Sequence, residues 1–205
     1  MIDGVIFDMD GTLIDSKDAL SGAINIIRKD MYLPPLDNDF ILKTINNPNV
    51  NYSKLLFNSL ENGANFKAKY KNVYKQSYIE NAKLFDGIID IFEYLSSKNI
   101  KIMIATNALE TTLEAIIDTL DIKKYIYKYI GIKDGVLEKP NPQMINMLKT
   151  GFKKVIFVGD NDKDSLCAKN ANVDFMRACF VVDEKDEYIC FNSFDSFKVG
   201  FEKLN

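Results

Sequence analysis

Three short apolar runs punctuate the chain: Val5-Ile6-Phe7, Ile100-Lys101-Ile102-Met103-Ile104-Ala105 and Val155-Ile156-Phe157-Val158. Each stops at a cluster of small or polar residues. Runs this brief, bounded by turn residues, predict buried strands. Helical spacing fills the gaps, over about 88–97, 109–120, 142–149 and 165–170, with a further apolar segment around Tyr129-Ile130-Gly131. Strand and helix in alternation predict the α/β class, a doubly wound parallel sheet with helices on both faces. The segments 175–182 and 188–191 read as finishing strands, and 196–204 as a last helix.

The alternation is interrupted once. From 17 to 83 the strand runs vanish and apolar residues recur at helical spacing: Leu20, Ala23, Ile24 and Ile27; then Phe40, Ile41 and Ile45; then Phe66, Tyr70, Val73, Tyr74 and Tyr78. Pro34-Pro35 and Asn46-Asn47-Pro48-Asn49 mark loops. The pattern predicts an inserted α-helical module, 17–83, between the two parts of an α/β core, 1–16 and 84–205. Its aromatic stripe reads as the core of a helical bundle. Carried on two short connections, near 15–17 and 82–86, the module could act as a cap over a reaction centre.

Candidate chemistry gathers where the apolar runs end. Positions two apart on a strand face one side, so Asp8 and Asp10 project together, while Gly11 lets the chain double back beside Thr12. One carboxylate could attack a phosphorus atom while the other moves the proton. A carboxylate approaching a phosphate dianion is repelled, by about 4 kcal/mol per like-charge pair at ~4 Å and an effective dielectric of about 20. Cations must therefore lie close. Asp160, Asp162 and Asp164 follow the third run and offer the hard oxygens that suit Mg2+. Thr106 and Asn107 follow the second run and could donate to phosphate oxygens. Lys139, ahead of Pro140-Asn141-Pro142, supplies positive charge.

Taken in order, Asp8-Met9-Asp10-Gly11-Thr12-Leu13-Ile14-Asp15-Ser16, Thr106-Asn107, Lys139-Pro140 and Gly159-Asp160 with Asp164 resemble the four motifs of the haloacid dehalogenase superfamily of phosphohydrolases. Phe85-Asp86-Gly87 and Lys139-Pro140-Asn141-Pro142 are similar to the branch of phosphoglycolate phosphatase and β-phosphoglucomutase. The resemblance implies a Rossmann-like core with a helical cap, and phosphatase activity on a small phosphorylated metabolite through an aspartyl phosphate. It implies Asp8 as nucleophile, Asp10 as acid and base, and Thr106 and Lys139 as catalytic groups. Phosphate binding would fall to Gly11, Thr12, Thr106, Asn107 and Lys139. Mg2+ would be held by Asp8, the Asp10 main-chain carbonyl, Asp160 and Asp164, with Asp162 exposed or in the outer sphere.

Other readings stand beside these. Asp-x-Asp-Gly alone is a turn, Thr106 and Asn107 are ordinary caps, and Asn141-Pro142 is an N-cap and first-turn proline. Asp15 and Ser16 either cap the next helix or shape a hinge. A phosphomutase would use the same aspartyl phosphate, and a non-catalytic phosphate-binding or partner-binding module would use the same pocket. A dehalogenase fits less well, since a leaving halide needs no proton from Asp10. Lys43, Asn46, Asn47, Tyr52 and Lys54 flank the loops of the insertion and are candidates for substrate choice.

With 205 residues, nearly half of them apolar, the chain can bury a proper core. Its net charge of −3 leaves no basic footprint for nucleic acid, and no apolar stretch is long enough for a membrane span. The absence of histidine removes imidazole chemistry. Three cysteines, an odd number spaced widely, argue against a disulfide framework and read as idle thiols in a reducing cytoplasm. Oligomeric state is not fixed by the sequence.

Overall fold

The three apolar runs lie side by side at the centre of a parallel sheet in the computed structural model, which describes residues 1–47, 49–59, 70–181 and 188–205. The strands are β1 (Gly4–Phe7), β2 (Ile14–Asp15), β3 (Lys83–Leu84), β4 (Lys101–Leu109), β5 (Ile126–Ile132), β6 (Val155–Gly159), β7 (Asp174–Ala178) and β8 (Ile189–Phe191). Six of them form one sheet in the order β5-β4-β1-β6-β7-β8, every neighbouring pair parallel. From β1 the chain winds outward to β4 and β5 on one side. It returns through β6 to β7 and β8 on the other. The order therefore reverses around β1, and the crevice beyond its carboxyl end is where such sheets bind ligands.

Alternation of side chains builds a core on each face. Val5, Phe7, Ile102, Ile104, Ile156 and Val158 join one apolar cluster, while Ile6, Met103, Ala105, Val155 and Phe157 join the other. The first face is covered by α5 (Ile88–Ser97), α6 (Glu110–Thr119) and α9 (Phe194–Leu204), the second by α7 (Gln143–Lys149) and α8 (Asp162–Ala171). Both faces are buried, which is why the runs read as continuously apolar rather than alternating.

Between β2 and β3 the chain forms α1 (Lys17–Asp30), α2 (Asn38–Asn46), α3 (Tyr52–Phe57) and α4 (Lys71–Asn81). The two connections are tied together, since β2 and β3 pair antiparallel through Ile14↔Leu84 and Asp15↔Lys83. Asp37 and Asn51 cap α2 and α3 by accepting from Phe40 N and Lys54 N. Polar anchors join the helices. Arg28 on α1 donates from Nε to the Pro34 carbonyl, 2.7 Å, and from Nη1 to the Leu56 carbonyl. Ser77 on α4 donates to the Ala19 carbonyl, 2.6 Å.

Several boundaries differ from the sequence reading for local reasons. Strand β4 runs on past Ala105 through Thr106 and Asn107, with its register broken between Ala105 and Leu109. Helix α8 begins at Asp162 rather than 165 because the Asn161 side chain accepts from Lys163 N and Asp164 N. Phe66 of the aromatic stripe lies outside the described residues. Asp15 Oδ1 accepts from Lys17 N, while Ser16 makes no side-chain cap bond at the start of α1.

The cysteine expectation is corrected. Cys179 and Cys190 are disulfide-bonded, their Cα atoms 6.0 Å apart. Parity counts residues without placing them; here β7 and β8 run side by side in the register Arg177↔Cys190, which sets Cys179 beside Cys190. The compartment read from idle thiols loses its basis for this pair. Cys167 alone remains a free, buried thiol. No helix among the described residues is long and apolar enough to cross a membrane.

Candidate active site

The turn after β1 is folded tightly around one carbonyl. Met9 O accepts from the amides of Leu13 and Ile14, at 2.9 and 3.1 Å, and Gly11 N donates back to Ile14 O at 2.9 Å. Asp8 is pinned to the neighbouring strand because its amide donates to Val158 O, 2.8 Å. Gly11 has φ +78°, and a Cβ there would overlap the Asp160 carboxylate. Gly159 does the same service for Asp164, whose side chain fills the place of the missing Cβ. Two glycines thus let two acids approach the backbone.

These turns bring distant charges together. Lys139 Nζ lies 2.6 Å from Asp8 Oδ1 and 2.7 Å from Asp164 Oδ1, with all three residues buried. Carboxylate oxygens of Asp8, Asp160 and Asp164 all fall within 4.8 Å of one another. Lys139 is itself held by Asn107: the amide oxygen accepts from Lys139 N at 2.8 Å, and the amide nitrogen donates to Lys139 O at 3.1 Å. The register break in β4 turns Asn107 toward a segment 32 residues away.

Three acids facing one ammonium leave an excess of negative charge. Burial, followed by the nearby Asp164, pushes the Asp8 carboxyl up to about 8 against the pull of Lys139. Burial and then Asp164 and Asp8 raise the Asp160 carboxyl well above its ordinary value. Burial pulls the Lys139 ammonium downward, but Asp164 and Asp8 outweigh it and leave it raised. Asp164 Oδ2 is buried with no hydrogen-bond partner among the described residues. The donor set is entirely hard oxygen, and a single ammonium cannot neutralise all three acids. Asp8, Asp160 and Asp164 could therefore hold a small divalent cation such as Mg2+.

Of the predicted residues, Asp8, Asp10, Thr106, Asn107, Lys139 and Asp164 line one cavity, and Asp160 stands beside Asp8 and Asp164. Thr106 Oγ1 accepts from Ala108 N, 3.1 Å. Gly11 and Thr12 are not among the lining residues described, and Thr12 is fully buried. Asp162 points outward and meets Arg177 Nη2 at 3.3 Å. Among the loop-flanking candidates of the insertion, the cavity includes Tyr52 but neither Lys43 nor Lys54.

Three residues escaped the sequence reading of the site. Tyr78 on α4 donates its hydroxyl to Asp10 Oδ1 at 2.9 Å, so one member of the aromatic stripe reaches the acids as well as the bundle. Burial and then Asp10 hold the Tyr78 phenol well above its ordinary value, so it stays protonated and donating. Arg177 on β7 donates from Nη1 to the Asp160 carbonyl, 2.8 Å, fixing the loop after β6 from behind. Asn161 donates to Asp160 Oδ1, 2.9 Å, while capping α8. A signal existed for Arg177, a charged residue inside an apolar strand run; nothing in the spacing of Tyr78 separated it from its packing neighbours.

Comparison with known proteins agrees with this architecture. The sequence pattern of haloacid dehalogenase-like hydrolases matches residues 5–178. Phosphoglycolate phosphatase of Aquifex aeolicus is 29% identical over 175 residues, spanning 82% of this chain and 80% of its own. Among solved structures, a haloacid dehalogenase hydrolase of family IA, variant 3, from Entamoeba histolytica superposes with a TM-score of 0.82 at 19% identity, covering 99% of this chain and 97% of that one. A proposed β-phosphoglucomutase of Thermotoga maritima gives a TM-score of 0.70 at 21% identity, with both chains covered in full.

Proposed function

Because this chain belongs to the haloacid dehalogenase-like hydrolases, we propose that it is a Mg2+-dependent phosphatase that hydrolyses a small phosphate monoester through an aspartyl phosphate. The observation that carries this reading is the buried Asp8–Lys139–Asp164 contact on the cavity, with Asp160 alongside. Relatives named as phosphoglycolate phosphatases support the phosphatase class.

In the first step an Asp8 oxygen bonds to phosphorus as the ester P–O bond breaks, and Asp10 gives its proton to the leaving oxygen. In the second step a water oxygen bonds to phosphorus, the Asp8 oxygen leaves, and Asp10 takes the water proton. Tyr78 occupies one oxygen of Asp10, which leaves the other to carry that proton. Lys139 and Thr106 hold the phosphate, Lys139 being kept in place by Asn107. Asp8, Asp160 and Asp164 would hold Mg2+, which would supply the positive charge that a carboxylate needs to approach an anionic phosphate. Helices α1 to α4 serve as a cap that shields the phosphorylated aspartate from stray water, moving on the β2–β3 ribbon.

The test is phosphate release from phenyl phosphate with and without Mg2+, in the native chain and in Asp8→Asn. The substitution keeps the side chain's shape and removes the nucleophile, so activity should fall by about 10⁴-fold or more. Full retention rejects Asp8 as the nucleophile. A sugar phosphate isomerised faster than it loses phosphate moves the assignment to a mutase.

A further inference from the structure

The cavity above Asp8 has two unlike walls. Its floor carries the charged groups. The facing wall is formed by the inserted helices, with Leu20 and Ile24 from α1, Ile45 from α2, Tyr52 and Leu56 from α3, and Tyr74 and Tyr78 from α4, the Tyr78 hydroxyl being taken up by Asp10. Ile24 and Leu56 are fully buried and back this wall, while Leu20, Ile45 and Tyr52 are partly exposed and form its face. Among the described residues this wall presents no ammonium, guanidinium or carboxylate to the cavity. Lys163 on α8 is the cavity's other cation, and its amine donates to the main-chain carbonyl of Ile45. At the side, Glu138 adds a negative charge.

We propose that the natural substrate carries an apolar leaving group, a phosphate monoester whose ester oxygen bears an alkyl or aryl body and no second anion. The proposal rests on the phosphatase reading above and adds the substrate class. A carboxylate or second phosphate on the leaving group would have to leave water for a wall of aliphatic side chains, with Glu138 near by. An alkyl or aryl body instead exchanges water for contact with Leu20, Ile45 and the Tyr52 and Tyr74 rings. The chain thus differs in expected substrate from the relatives named for phosphoglycolate, whose leaving group bears a carboxylate.

The experiment measures kcat/KM for phosphate release from methyl, ethyl, propyl and butyl phosphate and from 2-phosphoglycolate, with Mg2+ present and the full chain. Each added methylene should raise kcat/KM by about fourfold. On the same scale, 2-phosphoglycolate should fall about tenfold or more below butyl phosphate. A flat or falling series, or 2-phosphoglycolate above butyl phosphate, overturns the proposal. A second measurement needs no turnover: calorimetric titration with methyl- through butylphosphonate reads the same wall. If no ester releases phosphate, the phosphatase reading fails. A phosphonate Kd that falls severalfold per methylene still upholds the apolar wall, and a constant Kd rejects it.

Discussion

Two buried cations, one in the inserted helices and one in the α/β core, solve the same physical problem in opposite ways. Arg28 is satisfied by neutral groups, the Pro34 and Leu56 carbonyls, which ties α1 to the loop after it and to α3. Lys139 is satisfied by two carboxylates, with a third acid close by, so its surroundings hold more negative charge than it can neutralise. In the first case the donors are met by neutral carbonyls that bring no charge of their own, and the result is a fixed scaffold. In the second the charge is unbalanced, and the imbalance is what a metal ion and a phosphate would complete. A reaction centre in this molecule is therefore marked by acids crowded round one cation rather than by burial itself.

The largest expected effect tests the core side of that contrast. Lys139→Ala removes the one ammonium that Asp8 and Asp164 share, leaving two buried carboxylates unpaired. Breaking a buried pair in this way costs about 3–5 kcal/mol. Activity should fall by about 10³-fold, since the phosphate loses its main cationic partner. Phosphate release and urea unfolding, measured together, check both halves. A variant within tenfold of native activity would show that the lysine is scaffold, like Arg28, and the contrast would collapse.

Much of the core was readable because its chemistry sits at strand ends in a fixed order. Asp8, Thr106 and Asp160 each follow an apolar run, and the parallel register carries them to one crevice, where Lys139 joins them from the loop after β5. The insertion was legible as helices and opaque as a site. Helical spacing gives the same apolar pattern whether a face packs on a bundle or lines a cavity, so Tyr74 and Tyr78 could not be told from core residues in advance. Arginine offered an unused hint. The chain has only two, Arg28 and Arg177, amid many lysines, and both are buried. A planar, always-charged fork is suited to holding several oxygens at once: Arg28 holds two carbonyls, and Arg177 holds the Asp160 carbonyl and the Asp162 carboxylate. The disulfide was missed for a related reason, since strand adjacency between β7 and β8 was not available from cysteine spacing.

The scaffold side is sharpened by Arg28→Met, a smaller change that keeps the aliphatic stem. It removes charge-assisted hydrogen bonds to two main-chain carbonyls, for a loss of about 1.5–3 kcal/mol per bond to a charged group. The melting temperature should drop by several degrees. In conditions where the variant is folded, kcat should stay within about threefold of native, because Arg28 touches none of the acids. Loss of kcat as deep as that of Lys139→Ala, with melting unchanged, would reverse the two roles.

The smallest expected effect lies where the two regions meet. Tyr78 belongs to the insertion by sequence and packing, yet its hydroxyl donates to Asp10 in the core. If that bond orients the acid, Tyr78→Phe should act through proton delivery and nowhere else. Losing one hydrogen bond to a charged group corresponds to about tenfold in rate. The loss should concentrate on esters with poor leaving groups, such as alkyl phosphates, because their departing oxygen needs the proton most. An activated aryl phosphate should be hydrolysed at nearly the native rate. Melting should move by no more than about 2 °C, since Asp10 is only partly buried and water can replace the phenol. Equal losses for both classes of ester would mean that Tyr78 supports the fold of the insertion alone, and that the two regions do not share the acid.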